Sequence, residues 1–135
     1  MKKVYVSLIA DLVHAGHINI LKKAATFGEV TVGLLTLKAC GELNDIPYLD
    51  FDKRKEVLEN LSQVKEVIAQ DSASYVKNLQ NLKPDFVVHG DDWKDSYQKK
   101  YRKEVIETLK QWGGELVEIS YSKDINDMQI KEQMG

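Results

Sequence analysis

Apolar residues run almost unbroken from residue 4 to residue 10, then recur at helical spacing as Ile18, Leu21, Ala24 and Ala25 until Gly28. The first pattern predicts a strand buried on both faces, and the second predicts a helix within "GHINILKKAATFG" (16–28). "EVTVGLLT" (29–36) reads as another buried strand, and residues 37–50, with Gly41, Asn44, Asp45 and Pro47, read as a loop. A helix follows in "DFDKRKEVLENLSQV", opened by an Asp and carrying Val57, Leu58 and Leu61 on its inner face. "KEVIAQ" is a short strand, 72–84 a helix stopped by Pro84, and "DFVVHG" (85–90) a strand that leads into the loop "DDWKDS". The amphipathic "YQKKYRKEVIETLKQWGG" ends at Gly113-Gly114, and "ELVEISYS" (115–122) is a last strand before a tail of one or two helical turns. Strands alternating with helices, without repeat or linker, predict one domain over 1–135: a three-layer, Rossmann-like α/β fold around a central parallel sheet.

Composition narrows the function classes. Charged residues make up 30% and apolar ones 43%, with a formal net charge of −2. That is the balance of a soluble globular protein, and it offers no basic face for nucleic acid. The cluster "QKKYRK" (98–103) reads as a solvated helix face. The lone Cys40 has no internal disulfide partner and reads as a small structural residue in a reducing compartment. The basic, apolar N-terminus is broken by Asp11, unlike a signal peptide, and no run approaches the roughly 18 apolar residues of a membrane span. A cytoplasmic location is expected.

The polar signals converge. In doubly wound sheets ligands bind beyond the carboxyl ends of the strands, where "ADLVHAGH" puts His14, Gly16 and His17, and where "HGDDW" puts Gly90, Asp91, Asp92 and Trp93. Gly16 would let the backbone approach a ligand, the following helix would offer unpaired N–H groups to a phosphate, and two imidazoles would add donors to the same anion. Alone, either histidine is as readily a cap or a surface residue. A metal pair is a further alternative, although helical metal-binding histidines usually stand at i and i+4 and only Asp11 is a nearby acid.

"HAGH" after an apolar strand, "KRKEVLENLSQVKEVI" and "HGDDW", in that order, resemble the cytidylyltransferase branch of the HxGH nucleotidyltransferase superfamily. "ADLVHAGHINILKKAATFGEVTVGLLT", "IPYLDFDKRKEV" and "KPDFVVHGDDWK" are similar to the cytidylyltransferase domains of phosphonate biosynthesis, some fused to phosphoenolpyruvate mutase. The resemblance implies transfer of CMP from CTP, with Mg²⁺, to a phosphonate such as 2-hydroxyethylphosphonate or 2-aminoethylphosphonate, or else to a phospho-alcohol such as glycerol 3-phosphate. It further implies that His14 and His17 are catalytic, stabilising the α-phosphoryl transition state. Ile9, Ala10, Asp11, Gly16, Arg54, Gly90, Asp91, Asp92, Trp93 and Ile125 would bind nucleotide, with Arg54 on phosphate oxygens and Trp93 as a flat wall. Asp11 and Lys38 would face the acceptor. No resident metal site, a homodimer, and a fused or adjacent mutase domain complete the expectation.

The resemblance has three gaps, the first being that the strand ends "SLIAD" where many relatives have Gly-Thr-Phe-Asp, which removes a hydroxyl at Ile9 and keeps Asp11. Where the family carries Gly-Ile-Ser-Ser/Thr-Thr to hold the outer phosphates, this chain reads "DINDM", keeping Ile125 but placing Asp124 and Asp127 near the triphosphate. Where relatives put lysines before "IPYL", it reads "GELND". A catalytically weakened nucleotide-binding or assembly domain is therefore the second functional class.

Overall fold

The computed structural model describes residues 1–93 and 98–119. Strand β1 (Lys3–Leu8) leads to α1 (Ala15–Ala25), β2 (Glu29–Leu35), α2 (Leu37–Glu42), α3 (Phe51–Glu59) and β3 (Val64–Gln70). Then follow α4 (Val76–Leu82), β4 (Phe86–Gly90), a single 3-10 turn (Asp91–Trp93), α5 (Lys99–Leu109), a second 3-10 turn (Lys110–Trp112) and β5 (Glu115–Ile119). The strands form one 5-stranded sheet in the order β3-β2-β1-β4-β5, and each neighbouring pair is parallel. The expected Rossmann-like sheet with flanking helices is the observed one.

Why the sheet is covered on both faces is visible in β1 and β4. Successive strand residues point to opposite faces. Val4 and Val6 enter a core with Leu21, Ala24, Val32 and Leu58, whereas Tyr5 enters a second core with Leu79, Val105 and Leu109. Val88 and Val87 divide in the same way. Helices α1 and α3 therefore cover one face, and α4 and α5 the other.

Several local expectations change. Residues 37–42 are helical, not loop: Thr36 caps them by accepting from the Ala39 N–H at 3.3 Å, and burial of Ala39 and Cys40 against Leu35 outweighs the turn signal of Gly41. Helix α4 begins at Val76, because Ser72 and Ser74 hydroxyls accept from the Ser74 and Val76 N–H groups and hold residues 72–75 in turns. Val57 is 43% exposed, since the stripe α3 buries is Arg54 and Leu58, one turn apart, and Ala25 is exposed because α1 buries Leu21 and Ala24 instead. The reading of residues 120–122 as strand, and of the tail as helical turns, lies outside the described residues.

Tyr5 crosses beneath β2 to reach β3. Its hydroxyl donates to Gln70 Oε1 at 2.5 Å and accepts from Asn78 Nδ2 at 3.0 Å, while Gln70 Nε2 donates to the Ser72 carbonyl at 3.0 Å. A Cβ at Gly33 would run into the Tyr5 hydroxyl, so glycine is what lets the ring lie there. Gly33→Ala is expected to lower unfolding free energy by about 1–3 kcal/mol, through overpacking and loss of the Tyr5 bonds. Urea denaturation checks it; an unchanged midpoint would show that the ring has room to move.

Candidate active site

Helix α1 starts in an unusual way, with histidines in both roles of a capping box. His14 is the N-cap residue, and its Nδ1 accepts from the Gly16 N–H at 3.0 Å. The His14 N–H in turn donates to His17 Nδ1 at 3.2 Å. A ring nitrogen that accepts from a backbone N–H carries no hydrogen, so each neutral ring has its proton on Nε2. The rings lie 4.1 Å apart between centroids. Burial, and then the neighbouring His14 ring, push the His17 pKa down to about 4, which makes that ring a neutral donor at pH 7. The first turn of this 11-residue helix carries no acidic side chain, and its N-terminal dipole is left for an outside anion.

His17 borders two cavities at the carboxyl ends of the strands. One, of about 180 Å³, is walled by Gly16, Ile20, Val88 and Gly90. The other, of about 270 Å³, runs over Ile9, Ala10 and Leu35 toward Asp45, Gln70 and Tyr101. His89 and Ser7 also line both. At the junction of β1 with its loop, Ala10 is buried with φ 52, a left-handed conformation that costs a non-glycine residue of order 1–2 kcal/mol. The strain sits on the cavity floor.

Two residues expected at the ligand serve the scaffold instead. Arg54 is 0% exposed, and its guanidinium donates to the carbonyls of Leu49 at 3.0 Å, Ile9 at 2.9 Å and Leu35 at 2.8 Å. It ties α3 to the ends of β1 and β2 rather than meeting phosphate oxygens. Its Nη2 has no hydrogen-bond partner among the described residues. Trp93 is not an open wall either. Its ring is 1% exposed, stacks on His89 at 3.7 Å and 4°, and donates through Nε1 to Glu118 at 2.7 Å. Arg102 Nε braces the same carboxylate at 2.8 Å.

Lys38 is also displaced from the expected acceptor position. Its Nζ donates to the Asp71 carbonyl at 3.1 Å and pairs with Glu42 at 3.7 Å, beside a separate hollow that includes Lys77 and Asn78. Asp11 staples the loop before α3, accepting from the N–H groups of Tyr48 at 2.9 Å and Leu49 at 2.8 Å. Those bonds hold its carboxyl below the usual carboxylate range. Gly90 lines the smaller cavity, and Asp91 and Asp92 start the 3-10 turn. The Asp92 side chain and Ile125 lie outside the described residues.

His89, Asp45, Gln70 and Tyr101 line the larger cavity although the sequence reading gave none of them a role at the site. For His89 there was a signal, a histidine ending an otherwise apolar strand at its carboxyl edge. Asp45, in the loop between α2 and α3, and Gln70, at the end of β3, had none, since they come from separate parts of the chain. Among the described residues no group of three or more His, Cys, Asp or Glu side chains is placed to hold a metal ion, and no helix is long and apolar enough to cross a membrane.

Comparison with known proteins gives this geometry its family context. A profile described as cytidylyltransferase-like matches residues 9–131. The chain is 29% identical over 137 residues to a glycerol-3-phosphate cytidylyltransferase of Bacillus spizizenii, covering 100% of this chain and 98% of that one. It is 29% identical over 92 residues to an FAD synthase of Ferroglobus placidus, covering 68% of this chain and 60% of the relative's length. Among solved structures, a lipopolysaccharide core biosynthesis protein from Thermoplasma volcanium superposes with a TM-score of 0.76 at 25% identity, covering 89% of this chain and 97% of the other.

Proposed function

This chain belongs to the cytidylyltransferase-like family, and on that premise we propose that it transfers CMP from CTP to an oxygen of a phosphate or phosphonate monoester, releasing pyrophosphate. The observation that carries the reading is the histidine capping box: it fixes two Nε2–H donors at a helix N-terminus, with His17 bordering both cavities. An acceptor oxygen attacks the α-phosphorus, the bond to the β-bridging oxygen breaks, and the electron pair leaves with pyrophosphate. No covalent enzyme intermediate is needed. The protein's part is to align the two oxygens and to donate toward the charge that builds on the α-phosphoryl group.

In this reading the nucleotide's α-phosphoryl end lies at the smaller cavity, on the side of β4, and the acceptor enters the larger one, with His17 bordering both. Mg²⁺ belongs in this reading to the substrate, since it accompanies the triphosphate. On the acceptor, the relative from Bacillus spizizenii is named for glycerol 3-phosphate, while the wording of "ADLVHAGHINILKKAATFGEVTVGLLT" and "KPDFVVHGDDWK" supports a phosphonate.

The test is calorimetric titration with CTP and ATP in Mg²⁺, then pyrophosphate release with a panel of phosphonates and phospho-alcohols. CTP is expected to bind more tightly than ATP and to turn over with at least one acceptor. ATP binding as tight as CTP would remove the cytidylyl assignment, and CTP binding without pyrophosphate from any acceptor would leave a nucleotide-binding domain.

A further inference from the structure

The larger cavity is asymmetric in charge, in a way that bears on the acceptor. Its described lining residues include no Lys or Arg and a single carboxylate, Asp45. That side chain is exposed and accepts no hydrogen bond among the described residues. It reaches the cavity because α2 ends at Glu42 with Leu43 as its C-cap, Asn44 takes φ 56, and the Asp45 N–H is held by the Cys40 carbonyl at 3.1 Å. Opposite in sign, the Arg54 guanidinium stands directly behind the floor, bonded to the carbonyls of Ile9 and Leu35, both cavity residues. The nearest lysine in the chain before Asp45, Lys38, is held at Asp71 and Glu42 and does not line this space.

An acceptor that enters here must present its phosphorus group to the histidines, whose Nε2–H donors and helix dipole favour negative charge. Its other end then meets a carboxylate, with no Lys or Arg among the described residues that line the cavity. A hydroxyl tail gives Asp45 one hydrogen bond, a carboxylate tail is repelled, and an ammonium tail adds the attraction of opposite charges to its hydrogen bond. Aromatic rings complete the lining. Tyr101 and the buried Tyr75 both line the space.

Resting on the transferase reading, we propose that the acceptor is a short aminoalkyl phosphonate or phosphate, with its ammonium group recognised by Asp45. The residue determines specificity; it takes no part in the bond exchange.

The experiment compares matched pairs: 2-aminoethylphosphonate with 2-hydroxyethylphosphonate, and O-phosphoethanolamine with 2-hydroxyethyl phosphate. Direct binding by calorimetry and kcat/KM for pyrophosphate release with Mg²⁺ and CTP are both measured. The amine of each pair is expected to be favoured by about fivefold, the upper size of an ion pair with an exposed carboxylate. Asp45→Asn should bring each ratio close to one, and Asp45→Glu should retain part of the preference. Equal binding of amine and hydroxyl partners by the wild-type protein, or an unchanged ratio in Asp45→Asn, overturns the proposal. Absence of pyrophosphate with every acceptor, combined with an intact and Asp45-dependent binding preference, would sink the transferase reading and leave this site standing.

Discussion

His17→Ala is expected to lower kcat for pyrophosphate release by about 10²–10³-fold, the cost of removing one preorganised donor to a developing oxyanion. The geometry explains why the loss should fall on kcat. His17 Nδ1 is occupied by the His14 N–H, so the remaining ring donor is Nε2–H at the border of both cavities. A neutral ring needs no proton from solvent to act, and a pKa of about 4 keeps it neutral throughout the physiological range. Single-turnover and steady-state kinetics with CTP decide the point: an unchanged kcat with a raised KM would mean that His17 serves ground-state binding alone. The same shift has a stability signature. The folded pKa lies below the ordinary value of 6.5, so the unfolded chain binds the extra proton first. Stability contributed by neutral His17 is present above about pH 6.5 and is lost as pH falls toward 4. Urea midpoints across that window should decline in the wild-type protein and decline less in His17→Gln.

Arg54→Ala should destabilise the fold by about 3–5 kcal/mol, because it leaves buried carbonyls without donors and opens a cavity. Leu49, Ile9 and Leu35 each lose a bond from this guanidinium, and the loop held by Asp11 and the strained Ala10 both adjoin the same place. Arg54→Lys is expected to recover only part of the loss, since one ammonium cannot reproduce a planar fork directed at separate carbonyls. Denaturant unfolding measures both variants. If Arg54→Ala retained wild-type stability while CTP affinity collapsed, the guanidinium would have to be reassigned to phosphate binding.

The contrast between Arg54 and His17 shows what could be read in the chain. Both stand in motif-like surroundings. The spacing of Arg54 four residues before Leu58 puts the two on one stripe of α3, and Leu58 is buried. That periodicity was legible, but it does not say whether a guanidinium on an inner stripe finds carbonyls or a ligand. Trp93 poses the same problem, because its aromatic character is equally suited to a base or to the His89 ring and the Glu118 carboxylate it meets.

What the sequence by itself determined is whatever depends on neighbours along the chain. The alternation of buried strands with amphipathic helices requires a covered parallel sheet, and the strand-to-helix turn at His14, Gly16 and His17 carries its own capping geometry within four residues. Only the tertiary structure decided which side chains from separate connections meet. Asp45 and Gln70 enter the larger cavity beside His17 and His89, while Lys38 is drawn to Asp71 and Arg54 turns inward. The physical reason is that burial and hydrogen bonding of a long polar side chain are settled by the carbonyls and carboxylates brought to it from distant strands, and local periodicity holds no record of those partners.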